Sequence, residues 1–287
     1  MDGFLTIYKP SGMTSFDVIR FVRSIKKVKM GHIGTLDPLA EGVLVIALGQ
    51  GTKLIEYMMD HTKRYVAEIT LGKESTTYDA EGELRHISDI KPSKEEVVAV
   101  IDEFTGALTQ VPPVFSALKI NGKPAYKRAR AGESITMKKR NVTIHEHTLE
   151  SYHYPTIRVS VTCSTGTYIR SLAHDIGEHL GTGGYLSYLQ RTAIDTFTME
   201  HSCSLEQLKE RGIEPFLLPL IRGIGDMPRK TITAQEYKKL QHGAFVQGTL
   251  PKNVAICAAI FNNDLVGIME PAPVKNHIKF KKHIHVA

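Results

Sequence analysis

The hydrophobic positions of this chain change period from segment to segment. Ile157, Val159, Val161 and Cys163 alternate with Arg158, Ser160 and Thr162, the two-residue period of a strand with one buried face. Tyr65 to Leu71 and Val142 to Leu149 alternate similarly, and Tyr185, Leu186, Tyr188 and Leu189 predict a further short strand ending at Arg191-Thr192. Val43 to Leu48 is an unbroken apolar run between Gly42 and Gly49, the pattern of a buried strand. Elsewhere the period lengthens. Thr14-Ser15-Phe16-Asp17 has capping-box form and leads into Val18, Ile19, Val22 and Ile25 at helical spacing, with basic residues between them. Ser93 to Glu96 caps a helix through Val97, Val100, Ile101 and Phe104, stopped by Gly106. Ile169, Leu172, Ala173, Ile176 and Leu180 form the inward face of another, ended by Gly181.

Between these elements, Gln110 to Gly122 is proline-rich and non-helical, and Ala125 to Ala131 predicts a short basic helix. A capped helix runs from Ser204-Leu205-Glu206-Gln207 to Gly212, and Pro215 to Pro228 has the composition of a linker. Beyond it, Thr233 to Glu236 caps a helix through Leu240, and Ala255 to Phe261 pairs with Leu265 to Met269 across Asn262-Asn263-Asp264 as a hairpin. The pattern predicts an α+β fold on a mixed, largely antiparallel sheet. Residues 1–228 form a large domain, and 229–287 a small, mostly-β one.

A length of 287 residues suits one large domain plus a small one, and 42% hydrophobic with 23% charged residues is ordinary for a globular protein. No apolar run approaches a membrane span, and Met1 to Leu5 is not a secretory signal, so a cytoplasmic location is expected. Cys163, Cys203 and Cys257 are far apart and form no Cys-x-x-Cys pair, which argues against a disulfide framework or a zinc site. His283-Ile284-His285 presents ligand types on one side of a possible strand, but no Cys or carboxylate cluster accompanies it, so no metal is expected. The net charge of +6 fits a polyanionic partner. Its distribution says more. Arg20, Arg23, Lys26, Lys27 and Lys29 form one basic cluster, and Lys119, Lys123, Lys127, Arg128, Arg130, Lys138, Lys139 and Arg140 a second. Both are spaced like phosphate contacts along a nucleic-acid backbone, and a solvated helix face would account for either one alone.

The candidate chemistry lies in Lys29 to Leu44. Asp37 stands in a glycine-punctuated loop, with His32 five residues before it and the apolar strand directly after. Gly31, Gly34 and Gly42 permit positive φ and close backbone approach, and Pro38 holds Asp37 extended. Arg170 falls in the first turn of a helix that begins at a strand end, a poor electrostatic place for a cation, which predicts a buried partner.

The string Gly-His-x-Gly-Thr-Leu-Asp-Pro-x-Ala-x-Gly-Val-Leu over residues 31–44 closely resembles the catalytic motif of the bacterial tRNA pseudouridine-55 synthases, the TruB family. Further matching blocks are Lys9 to Ser15, Lys63 to Tyr65, Gln110 to Lys119, Gly166 to Leu172 and Leu189 to Thr192. Ile33, Glu41 and Gln190 depart from the usual Thr, small residue and Arg. The resemblance implies a pseudouridine synthase catalytic domain followed by a PUA-like RNA-binding domain, a monomer acting on the T arm of tRNA without a cofactor, a membrane or an obligate protein partner. It implies Asp37 as the catalytic residue, Arg170 as its bidentate partner and Tyr65 as the ring that stacks on the target base and assists proton removal. Tyr168 and Leu189 would line the uracil pocket, and His32 would fill the gap left by displaced bases. Lys9 is assigned to substrate binding, with a supporting or purely packing role left open. Competing readings are a tRNA-folding chaperone on the same surface, a guide-dependent RNA pseudouridine synthase, and a glycosidase, for which no second acidic motif is present.

Overall fold

The computed structural model describes residues 1–58, 61–120 and 122–285. Its centre is a ten-stranded mixed sheet. In chain order the strands are β1 (Gly3–Lys9), β2 (Met30–Ile33), β3 (Glu41–Leu48), β4 (Lys63–Leu71), β5 (Gly106–Gln110), β6 (Arg140–His153), β7 (Thr156–Cys163), β8 (Gly184–Ile194), β9 (Phe197–Thr198) and β10 (Ser202–Cys203). The spatial order is β10-β1-β3-β8-β4-β7-β6-β5, with β9 beside β8 and β2 beside β3. All pairings are antiparallel except β1 with β10 and β8 with β3. The helices are α1 (Ser15–Ile25), α2 (Lys94–Glu103), α3 (Ala125–Arg130), α4 (Ile169–His179) and α5 (Leu205–Arg211).

Alternation puts Leu44, Ile46, Tyr65, Ala67, Ile69, Ile157, Val159, Val161 and Leu189 in one core with Val18, Ile19 and Val22 of α1 and Ile169, Leu172, Ala173 and Ile176 of α4. Val43, Val45 and Ala47 point into a second cluster, which is why the β3 run has no polar face. The expected capping boxes on α1, α2 and α5 are present, each uniting a Ser or Thr cap with an acidic or amide residue three positions on. Replacing such a cap by alanine costs about 1 kcal/mol.

Four readings are corrected. The sequence left Met30–Ile33 without an element, yet it pairs with β3, so His32 lies on a strand opposite Ile46. The segment 215–228 is a packed strap rather than a free linker: Phe4 and Leu218 exchange backbone hydrogen bonds of 2.9 and 2.8 Å, and Gly223 and Ile224 are buried. Asp264 pairs with Phe261, so the hairpin turn is the two residues Asn262 and Asn263, at φ 51° and 68°. His285 lies beyond the strand that ends at His283, and the two rings stand 4.1 Å apart.

The C-terminal region forms its own five-stranded sheet from β11 (Arg229–Thr231), β12 (Val246–Gln247), β13 (Cys257–Phe261), β14 (Asp264–Pro271) and β15 (His277–His283), with α6 (Ala234–Gln241) packed on it. Residues 286 and 287, the end of the expected second domain, lie outside the described residues. This sheet shares a core with the large one: Ala258, Leu265, Ile268 and Ile284 meet Val43, Leu54, Met58 and Ile224. Lys282 pairs with Glu56 at 2.6 Å, and Lys53 donates to the carbonyl of His283 at 2.8 Å. A chain ending at Pro228 would uncover this apolar face. Its thermal midpoint is expected to fall by at least about 5 °C. An unchanged midpoint in a melting scan would show that the two sheets contribute separately to stability.

Candidate active site

The Asp37 loop is fixed from below by β1 and the start of α1. Ser15 Oγ accepts from the Leu36 amide at 2.9 Å and donates to its carbonyl at 3.1 Å. The Pro38 carbonyl accepts from the Gly12 amide at 2.8 Å and from Lys9 Nζ at 3.3 Å. Lys9 is fully buried and also donates to the carbonyls of Met13 and Pro10, at 2.6 and 2.9 Å. With its ammonium spent on three carbonyls, Lys9 braces the loop, which corrects its assignment as a substrate contact. Burial lowers its pKa to about 8, opposed by the nearby Asp37 charge. Gly42 is at φ +100°, and a Cβ there would stand 2.3 Å from the Arg191 carbonyl, so only glycine allows β3 to meet β8 at this point. Gly31 answers a different need: its φ is not positive, but a Cβ would lie 2.9 Å from Ile55.

Arg170 is the hub of the site. Its side chain is 5% exposed and reaches Asp37 Oδ2 through Nε at 3.0 Å. The Nε–H is not aimed at that oxygen, so the contact is a close ion pair rather than an aligned hydrogen bond. Nη1 meets Asp79 Oδ2 at 3.1 Å and the Thr77 carbonyl at 3.3 Å, while Nη2 donates to the Phe115 carbonyl at 3.1 Å. The expected bidentate pair is therefore corrected: one guanidinium is divided between two carboxylates. A planar fork can do this and a single ammonium cannot. Asp79 is buried and further held by Thr77 Oγ1 at 2.5 Å and the Glu81 amide at 3.0 Å.

A third of the Asp37 side chain (36%) is exposed, while its surroundings are packed. Burial is the largest influence and raises its pKa above the usual carboxylate value. Asp79 adds to the rise, and Arg170, Lys9 and Arg191 oppose it. A carboxyl with a raised pKa holds its proton to higher pH. If the ionised form reacts, activity is lost as pH falls through that raised value, so the acid limb of kcat/KM should lie above the ordinary aspartate value of about 3.9. A pH profile on a folded RNA hairpin checks this, and an acid limb at or below that value contradicts it.

The candidates Tyr65, Leu189 and Tyr168 stand on β4, on β8 and at the start of α4. Tyr65 is 7% exposed on β4, opposite Arg191 of β8, and Leu189 is 6% exposed on β8. Burial raises the Tyr65 pKa, so the free protein presents a neutral phenol there. Tyr168 is the N-cap residue of α4. Its amide donates to Gln110 Oε1 at 2.8 Å and its carbonyl accepts from Gln110 Nε2 at 3.0 Å, which ties the proline-rich segment to the start of α4. His32 is half-buried, its Nδ1 has no hydrogen-bond partner, and burial with the Arg191 charge lowers its pKa. That favours the flat, uncharged ring.

Sequence reasoning missed Asp79, Gln110 and Arg191 as site residues. Asp79 sits among Thr76, Thr77 and Tyr78 with no periodic or glycine signal. Arg191 is fully buried and donates to the Val43 carbonyl at 2.8 Å and the Gly34 carbonyl at 2.9 Å, a role that an arginine at a strand end does not announce. Two departures from the family pattern meet: Gln190 pairs with Glu41 in register and donates to its Oε1 at 3.2 Å, while the Tyr188 hydroxyl donates there at 2.7 Å. Among the described residues, one group has metal-ligand types in reach of one another, His174, Asp175 and Glu178 on α4. His174 there stacks on Tyr78 at 4.0 Å and faces Glu178 at 3.6 Å.

Two family profiles match adjoining parts of the chain. The TruB family pseudouridylate synthase N-terminal domain matches residues 22–169, and the tRNA pseudouridylate synthase B C-terminal domain matches 170–219. The second match contains α4 and β8 and so lies within the large sheet. Proteins called tRNA pseudouridine synthase B are similar over most of their length. The one from Listeria monocytogenes is 41% identical, covering 97% of this chain and 96% of its own. That from Bacillus velezensis is 39% identical, covering 96% and 94%. Among solved structures, a Cbf5-Nop10-Gar1 complex aligns with a TM-score of 0.75 at 24% identity, over 99% of this chain and 85% of the other. An H/ACA RNP bound to a substrate RNA containing 2'-deoxyuridine aligns at 0.74 and 22%, and both likenesses concern the fold. With both profiles and these relatives in agreement over the region that carries Asp37 and Arg170, the chain belongs to the TruB family of pseudouridylate synthases.

Proposed function

We propose that this protein isomerises uridine 55 in the T loop of tRNA to pseudouridine, with Asp37 acting on the flipped nucleotide. The observation that carries the reading is the Asp37 carboxylate beside a buried guanidinium, close enough to Tyr65 and Tyr168 for its charge to raise the pKa of both phenols. The reaction breaks the bond between N1 and C1′, turns the base and rejoins it through C5. It needs no redox partner and no external group. Asp37 serves as the nucleophile or as the base, Arg170 holds it oriented, and Tyr65 covers one face of the base. Tyr168 and Leu189 keep water from the detached uracil, and His32 stacks in the space the base vacates.

The exposed lysines and arginines of α1 and of the 119–140 segment supply the long-range attraction for the RNA backbone. Residues 1–228 carry the chemistry, and 229–287 act as a PUA-like unit gripping the tRNA body. The protein works in the cytoplasm as a monomer. No helix among the described residues is long and apolar enough to cross a membrane. Relatives 39–41% identical carry the name tRNA pseudouridine synthase B, so neither the chaperone alternative nor the guide-dependent one is favoured. The test is to incubate purified protein alone with an unmodified T-arm hairpin and map pseudouridine. Product at the position equivalent to 55, without guide RNA or added protein, supports the reading. Absence of product on folded tRNA as well would overturn it.

A further inference from the structure

Three cations converge beside the Asp37 loop without carboxylate partners among the described residues. Lys63, at the start of β4, donates through Nζ to Thr165 Oγ1 at 2.8 Å. A Cβ on Gly34, which is at φ +68°, would stand 3.4 Å from Lys63 Cε and 3.4 Å from Arg191 Nη1, so the two side chains flank the same bare backbone. On the other side of Thr165, Arg140 Nη1 lies 3.5 Å from the Gly166 carbonyl and 3.3 Å from where a Cβ of Gly166 would be. No ion pair joins Lys63, Arg140 or Arg191 to a carboxylate among the described residues, although Arg158, Arg170 and others find theirs. The group sits against the site: Lys63 is two residues before Tyr65, Gly34 three before Asp37, and Thr165 three before Tyr168.

Burying cations together without an anion is costly, and a bound anion relieves the cost. Lys63 shows this strain, because burial and then the Arg191 charge lower its pKa to about 8. Glycine at 34 and 166 leaves the backbone open to close approach, and the Thr165 hydroxyl adds a donor once Lys63 turns to the anion.

We propose that Lys63, Thr165 and Arg140, with the Arg191 charge behind them, form a seat for one backbone phosphate next to the flipped nucleotide. This rests on the reading of Asp37 as the residue that acts on that nucleotide. The seat fixes the sugar of the target relative to Asp37, so it discriminates by position and not by base identity.

The test measures binding of a T-arm hairpin to Asp37→Asn protein, which separates the seat from the chemistry: turnover in that variant would sink the role of Asp37 and leave the binding result readable. Added Lys63→Met should weaken binding roughly tenfold or more and flatten the log-log salt slope by on the order of 0.7. Lys63→Arg should retain most affinity. Replacing the phosphate on either side of the target by an uncharged methylphosphonate should cost affinity at one position with Lys63 present and little in Lys63→Met. Thr165→Val and Arg140→Gln should show the same loss of sensitivity, which covers the case of a misfolded Lys63 variant. Equal methylphosphonate sensitivity with and without Lys63, or an unchanged salt slope in a folded variant, overturns the proposal. Competition by inorganic phosphate with no methylphosphonate effect would assign the seat to the free ion and overturn its place on the RNA.

Discussion

Asp37→Asn is expected to reduce turnover on a T-arm hairpin by at least about a thousandfold, within the range that loss of an essential reacting group costs. The amide is isosteric but carries no charge, so it can act neither as nucleophile nor as base. The fold should not suffer. Arg170 keeps Asp79 at 3.1 Å and the carbonyls of Thr77 and Phe115, so the guanidinium is not left unpaired. Because burial raises the Asp37 pKa, the ionised form opposes folding at neutral pH, and this cost is present above the unfolded-state value of about 3.9. The variant should therefore melt no lower than the parent at pH 7. Turnover within tenfold of the parent, or a lowered melting temperature, would contradict this account.

Arg170→Lys is expected to lose on both scores. One ammonium cannot reach two carboxylates and two carbonyls at once, and misplacing Asp37 by an ångström is worth about a hundredfold in rate. The lysine keeps a charge but loses the fork, so at least one of the buried contacts of Arg170 is given up, and leaving a buried polar group unsatisfied costs about 1–3 kcal/mol, a drop of roughly 5 °C in melting temperature. The acid limb of the pH profile gives a finer test. Arg170 lowers the Asp37 pKa and Asp79 raises it. Removing the cation in Arg170→Gln should move the limb to higher pH, and Asp79→Asn should move it to lower pH. Shifts of the same sign in both variants would show that Arg170 does not couple the two acids.

Much of the fold was legible in the order of residues. The alternation at 157–163 and the apolar run at 43–48 are strands, and the Thr14, Ser93, Ser204 and Thr233 caps begin helices as read. Caps, turns and one-sided strands are local devices, stated by a few neighbouring side chains. The strand at Met30–Ile33 was not legible because it is two glycine- or histidine-containing steps on a short edge pairing, with no period of its own. The strap at 215–228 has linker composition and is held by contacts to Phe4, some two hundred residues away.

The sequence by itself determined that Asp37 would be displayed on a rigid loop ahead of a buried strand, and that Arg170 would need a buried partner at its helix start. It also carried the motif that marks the family. Only the tertiary structure decided which acids that arginine meets. Asp79 lies 91 residues before it, in a loop with no signal, and reaches it only because Tyr78 and Ala80 pair with Leu186 of β8. The same holds for Lys9, whose ammonium turns inward to three carbonyls, and for Arg191, which meets Gly34 across 157 residues. A charge declares its need for a partner in the sequence, but the choice of partner is a matter of which strands pair, and pairing is settled by the packing of the whole sheet.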